Sequence, residues 1–147
     1  MDFATDSVGG TYSNASGTVA LNAVTIGVRK IKPSGFARDV SPAFESGADE
    51  AVANVVGPKK RENLTVSVSL RVWQVFIAAN PDYGAANKFW TISVSYKLPT
   101  GESCPIDHSQ ANLVKETPSE ADFATAGEAL IDLEFAPIRA TIANVAA

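Results

Sequence analysis

Two stretches, Leu64–Val72 (LTVSVSLRV) and Phe89–Leu98 (FWTISVSYKL), decide the reading of this sequence. In the first, Leu64, Val66, Val68, Leu70 and Val72 alternate with Thr65, Ser67, Ser69 and Arg71. In the second, Trp90, Ile92, Val94, Tyr96 and Leu98 alternate with Thr91, Ser93, Ser95 and Lys97. Successive side chains of a strand point to opposite faces, so each run has one apolar and one polar side. Two such runs predict antiparallel strands of a sheet that packs on one side and is solvated on the other.

Working outward, Val19 and Leu21, then Val24, Ile26 and Val28, predict two short strands or one strand broken near Asn22-Ala23. Arg29, Lys30 and Lys32 at its end read as a solvated strand end. Residues 1–17, rich in Gly, Ser, Thr and Asn, predict a flexible N-terminal arm. Residues 33–62 hold Pro33, Gly35, Pro42, Gly47, Gly57 and Pro58 and predict a long irregular loop, with a weak helix over 48–56. A loop of this length in a compact domain is usually functional or disordered. Phe36, Val40, Phe44, Val52, Val55 and Val56 give it too much apolar content for a disordered linker, and they must be buried in the chain's own core or on a partner. The sequence expectation is a contact with another subunit made by Phe36, Val40, Phe44, Val52 and Val55. The basic turn Lys59-Lys60-Arg61 reads either as a solvated, positively charged gatekeeper before the Leu64 strand or as a contact with acids of that neighbour, from the region of Glu116 to Asp122.

Beyond Val72 the alternation gives way to helical spacing at Val72, Val75, Phe76 and Ala79, which predicts a helix over 73–79. A strand running on to Ile77 is the competing reading. Pro99-Thr100-Gly101-Glu102 predicts a hairpin turn into a return strand over 103–115, broken near Ser109-Gln110. Thr117-Pro118-Ser119-Glu120 has the form of a capping box and predicts either a short helix that turns Phe123 inward and stops at Gly127 or, equally, an ordered loop. The last strand spans 129–142, with a bend or edge at Pro137. The predicted core is Val66, Val68, Leu70, Ile92, Val94, Ile131, Leu133 and Phe135.

The 147 residues suit one domain with its own core. With 46% hydrophobic and 19% charged residues the chain is of globular composition. A net charge of −4 argues against a dedicated nucleic-acid binder, which carries a basic stripe. No run approaches the roughly 18 apolar residues of a membrane-spanning helix, and MDFATDSVGG lacks the form of a secretory signal. No membrane anchor is expected. The one cysteine, Cys104, cannot form an internal disulfide.

Catalytic chemistry finds little support. Cys104 and His108 in an extended strand lie about 13 Å apart at 3.3 Å per residue, too far to act as a nucleophile and base. One Cys with one His falls short of a metal site. The acids show no paired spacing, and no phosphate-binding glycine pattern occurs. The expectation is a protein that is not an enzyme and needs no cofactor.

The order of parts is a two-strand start, a long loop running into GPKKRENLTVSVSL, a helical link, the hairpin FWTISVSYKLPTGE, and the step Gly127-Glu128 before the closing strand ALIDLEF. This layout resembles the tail tube proteins of tailed bacteriophages and their relatives in contractile injection systems. The resemblance implies a mainly β fold, an antiparallel β-sandwich or partly closed barrel with one or two short flanking helices. It implies a structural virion protein, assembled in the host cytoplasm, whose copies form stacked hexameric rings around a channel. Its partners would be itself and other virion proteins, with DNA only as passing cargo. The small hydroxylated face carrying Thr65, Ser67, Ser69, Thr91, Ser93 and Ser95 would then line the lumen or face solvent. A β-sandwich binding module of the adhesin or carbohydrate-binding kind, using Tyr12, Trp73, Tyr83, Trp90 and Tyr96, is the alternative. A phage capsid coat or decoration protein is a second.

Overall fold

The computed structural model describes residues 13–124, 126–143, 145 and 146. The first strand, β1 (Ser13–Leu21), turns at Asn22-Ala23 into β2 (Val24–Ile26). Both turn residues have positive φ, 49° and 67°, the conformation that matches a two-residue turn to the twist of its strands. Thr91 N–H donates to Asn22 Oδ1 and Asn22 N–H to Thr91 O, both at 2.8 Å, which ties the turn to the neighbouring strand. β1 already begins at Ser13, so residues 13–17 are strand rather than arm; the rest of the expected arm lies outside the described residues.

After Gly27 the chain crosses to a second sheet as β3 (Val28–Lys32). Residues 33–62 are not irregular throughout. They hold four short strands, β4 (Phe36–Ala37), β5 (Val40–Ala43), β6 (Ala53–Val56) and β7 (Lys60–Arg61). β4 pairs with β7 and β5 with β6, so the segment goes out and returns as one long hairpin. The expected helix over 48–56 is replaced by β6, because Val55 and Val56 pair with Ser41 and Val40 and favour a strand.

β8 (Leu64–Ser69) keeps the strict alternation, every odd side chain partly covered and every even one fully buried. The strand ends there. Leu70 opens α1 (Leu70–Ala79) and is 43% exposed, which corrects its assignment to the core and starts the helix three residues before the predicted 73. The helix wins over strand propensity because it turns Trp73 and Phe76 onto the end of the sandwich. There Trp73 stacks on Phe76 at 5.4 Å, Tyr83 meets Trp73 edge-on at 5.5 Å, and Phe76 and Phe135 flank Trp90 at 5.8 and 6.0 Å.

β9 (Trp90–Lys97) and the 16-residue β10 (Ser103–Pro118) form the predicted hairpin. Gly101 sits at φ 94° and Leu98 N–H bonds Glu102 O. β10 serves both sheets. Its first half pairs with β9 and, on the other edge, with β12 (Arg139–Ile142); its second half pairs with β11 (Leu130–Ala136). The switch occurs at the two irregularities read from the sequence. Gln110 has φ 53° and interrupts the register on β10, while Pro137 separates β11 from β12. A bulge on one strand and a proline on its neighbour bend the ladder from one sheet into the other. A last short strand, β13 (Val145–Ala146), pairs with β12.

Along the hydrogen-bonded path the strand order is β2-β1-β9-β10-β11-β8-β3. The fold is mainly β and antiparallel, a sandwich-like layout with one helix among the described residues and no closed barrel. Leu21, Leu64, Val66, Val68, Ile92, Val94, Ile131, Leu133 and Phe135 form one buried core between the sheets. The capping-box helix over 117–127 does not form. Thr117 and Pro118 stay in β10 opposite Asp132 and Ile131, Ser119 N–H bonds Leu130 O, and Phe123 is fully exposed. A two-turn helix there would have no apolar stripe to bury, whereas the strand adds ladder bonds.

Candidate assembly interface

The hairpin from Phe36 to Arg61 is the chain's most unusual surface. Val40, Phe44, Val52, Val55 and Val56 are 53–61% exposed, and Phe36 is 48% exposed. β5 and β6 pair with each other and with no other strand of the described chain. An isolated two-stranded ribbon is marginal in water and needs cover on one face.

Its root is held firmly. Gly57 N–H donates to Asp39 O at 2.7 Å, and Ser34, which is buried, donates its hydroxyl to Glu62 O. A Cβ on Gly57 would lie 3.1 Å from the same Asp39 oxygen, so the close approach of the two strands favours glycine. The structure separates the three cations that the sequence grouped. Lys59 Nζ lies over the Phe36 ring at 4.3 Å and the Arg61 guanidinium at 5.6 Å, while Lys60 Nζ pairs with Asp39 Oδ2 at 2.8 Å. All three therefore have contacts within their own hairpin, and the cations on the ring stiffen the root around Phe36.

The polar residues fall on two surfaces. Thr65, Ser67 and Ser69 lie on the outside of the β3–β8–β11 sheet, Thr91, Ser93 and Ser95 on the outside of the β1–β9–β10 sheet, and the common core separates them. The first surface is more charged than β8 alone suggests. Reading across the strands, one row is Lys32, Thr65, Glu134, Lys115 and the next is Lys30, Ser67, Asp132, Thr117. Ser67 donates its hydroxyl to Asp132. The second surface is plainer. Thr25, Ala20, Ser93, Asp107 and Thr141 form one row, and Thr18, Ser95 and Pro105 another.

Cys104 faces Tyr96 and His108 faces Ile92, four residues apart along β9, so the ladder holds them apart. His108 is fully buried with neither ring nitrogen hydrogen-bonded, and burial lowers its pKa, followed by the charge of Arg61, against a raising contribution from Asp107. Among the described residues no three His, Cys, Asp or Glu come together as metal ligands, and no helix is long and apolar enough to cross a membrane. Tyr83, Trp73 and Trp90 of the alternative binding platform lie together in or against the core, with both tryptophans buried; Tyr96 is half-buried and Tyr12 lies outside the described residues.

No protein-family model and no curated protein matches the sequence. Solved structures do. A chain of the extended-state sheath/tube terminator of PVC, an extracellular contractile injection system, superposes with TM-score 0.76 at 14% identity, over 92% of this chain and 99% of that one. A chain of the extended PVC sheath-tube complex gives 0.75 at 13% identity, covering 97% of each. A chain of the tube-terminating cap of the anti-feeding prophage gives 0.73 at 17% identity, over 95% and 96%. At these identities the likeness is one of fold: the chain shares its fold with chains of these contractile injection systems.

Proposed function

We propose that this chain is a structural tube subunit, carried in a virion or virion-like particle, whose copies form rings that stack around a channel. The observation that carries the reading is the hairpin at 40–56, a ribbon with large apolar side chains that its own chain leaves half in water. Burying a large apolar side chain fully is worth about 1.5–3 kcal/mol; with half of each already covered, the four that share one face, Val40, Phe44, Val52 and Val56, together offer about 4 kcal/mol. That is near the low end of the roughly 4–15 kcal/mol that association costs in lost freedom. One such contact is weak, and repeated contacts in a closed ring or stack are what make it stable.

The lumen-wall role suits the Thr91, Ser93 and Ser95 face better than the Thr65, Ser67 and Ser69 face. In the two rows through Ser93 and Ser95, Asp107 is the charged residue among those described. A hydroxylated wall whose few charges, Asp107, Lys97 and Arg139, are of both signs, on a chain of net charge −4, lets a polyanion pass without holding it. On this reading DNA is cargo and other particle proteins cap the tube.

Native mass measurement and negative-stain microscopy of the purified full chain test the proposal. Rings or tubes are expected for the wild type, and a folded monomer for a variant in which residues 40–56 are replaced by a short turn. A wild-type chain that stays monomeric at every concentration would overturn the assembly role, and assembly by the shortened variant would remove the hairpin from it.

A further inference from the structure

Helix α1, LRVWQVFIAA, has two polar residues, Arg71 and Gln74. It is apolar nearly all round, the pattern of a helix covered on more than one side. Trp73 and Phe76 use one side for the core. Val72, Val75 and Ala79 form a second stripe at i, i+3 and i+7, and with Val24 and Ile26 of β2 they line an open groove of about 470 Å³. Val24 and Val75 are 51% and 58% exposed there. Arg71 stands in its wall.

We infer that this groove is the seat for the β5–β6 hairpin of a second copy of the chain, an inference that rests on the assembly reading above. The shapes correspond, a ridge of Val40, Phe44, Val52 and Val56 on one face of the ribbon against an apolar trough. The charges correspond too. Between its strands the hairpin carries Glu45, Asp49 and Glu50, while the groove offers the cation Arg71. The root cations are engaged with Phe36 and Asp39, which leaves the acidic end of the hairpin as the part that meets the groove. Ridge and trough are different surfaces of one chain, so the contact is head-to-tail. Such contacts propagate into rings or filaments, whereas a self-complementary patch closes a dimer. The volume also falls within the roughly 300–1,000 Å³ of small-molecule sites. However, the groove is open and lacks the converging polar groups that orient a small ligand.

Cross-linking in the full chain tests the seat. With Cys104→Ser removing the native thiol, Phe44→Cys and Val75→Cys are combined and treated with a short bismaleimide. The double variant should give a ladder of covalent multimers on a denaturing gel, and neither single variant should. Independently, Val75→Glu should raise the concentration needed for assembly at least tenfold, and Arg71→Glu should weaken assembly with partial recovery on Glu50→Lys. Both positions are exposed, so the variants should melt like the dissociated wild type; if Val75→Glu does not fold, the cross-link decides. Particles without a 44–75 cross-link, or normal assembly of a folded Val75→Glu, overturn the seat. If the hairpin-shortened variant is then still monomeric, the tube reading stands with its joint elsewhere. A wild-type chain that never assembles overturns both.

Discussion

Arg29 on β3 and Glu128 in the approach to β11 are joined by a two-pronged ion pair, Nε to Oε2 and Nη2 to Oε1, each at 2.8 Å. They are 99 residues apart and both exposed. The pair clips the outer strand of one sheet to the loop that brings in a strand of the same sheet. It corrects the reading of Arg29 as merely solvated.

The hydrogen bonds from Arg29 hold the Glu128 carboxyl below its usual pKa, and the same pair raises that of Arg29. A depressed carboxylate adds stability that is present above its unfolded pKa, about 4.3, and lost as pH falls through the folded value. Glu128→Gln should therefore lower the melting temperature slightly at neutral pH and low salt. The difference should shrink with added salt and disappear in acid. A difference that persists unchanged through the acidic range would show that the side chain matters for packing instead.

His108 has the opposite consequence for a base. Its folded pKa is lowered, chiefly by burial, so the folded state resists the proton that the unfolded chain accepts. Stability should fall as pH drops below about 6.5, by no more than about 1.4 kcal/mol per pH unit, until the folded pKa is reached. His108→Leu should flatten that limb, and denaturant unfolding across pH 4–7.5 (about that span, to bracket the ordinary histidine range) measures it. Identical slopes for both proteins would refute the assignment.

Leu133 is fully buried and Leu70 is 43% exposed, although both fit the alternating pattern. Leu133→Ala should cost about 2–5 kcal/mol, and Leu70→Ala under about 1 kcal/mol. Urea unfolding of the two variants separates them. Equal losses would place Leu70 in the core after all.

Ala23 occupies the second turn position at φ 67°. A side chain there is strained and glycine is not. Ala23→Gly should raise stability by about 0.5–1 kcal/mol, the gain net of glycine's greater freedom when unfolded. Ala23→Val should lower it. A thermal melt in which glycine is the worse residue would mean that the turn changes conformation.

The sequence by itself determined the parts whose signal is local and periodic. Alternation placed Val66, Val68, Ile92, Val94, Ile131, Leu133 and Phe135 in the core, since a face buried along a whole strand must repeat every second residue. Gly101 marked the hairpin turn and Pro137 the bend in the last strand, because backbone constraints are written in residue type. Tertiary structure decided the rest. Helical spacing predicted the helix over 73–79, but its choice over the competing strand and its start at Leu70 follow from the aromatic partners that Trp73 and Phe76 find at Tyr83 and Trp90, and residues 117–118 remain strand because β11 lies beside them. The Arg29–Glu128 pair, and the separation of the hydroxyl rows onto two surfaces, depend on which strands become neighbours. No local propensity carries that information, because it resides in contacts between residues tens of positions apart whose energies exceed the small differences between helix and strand preference.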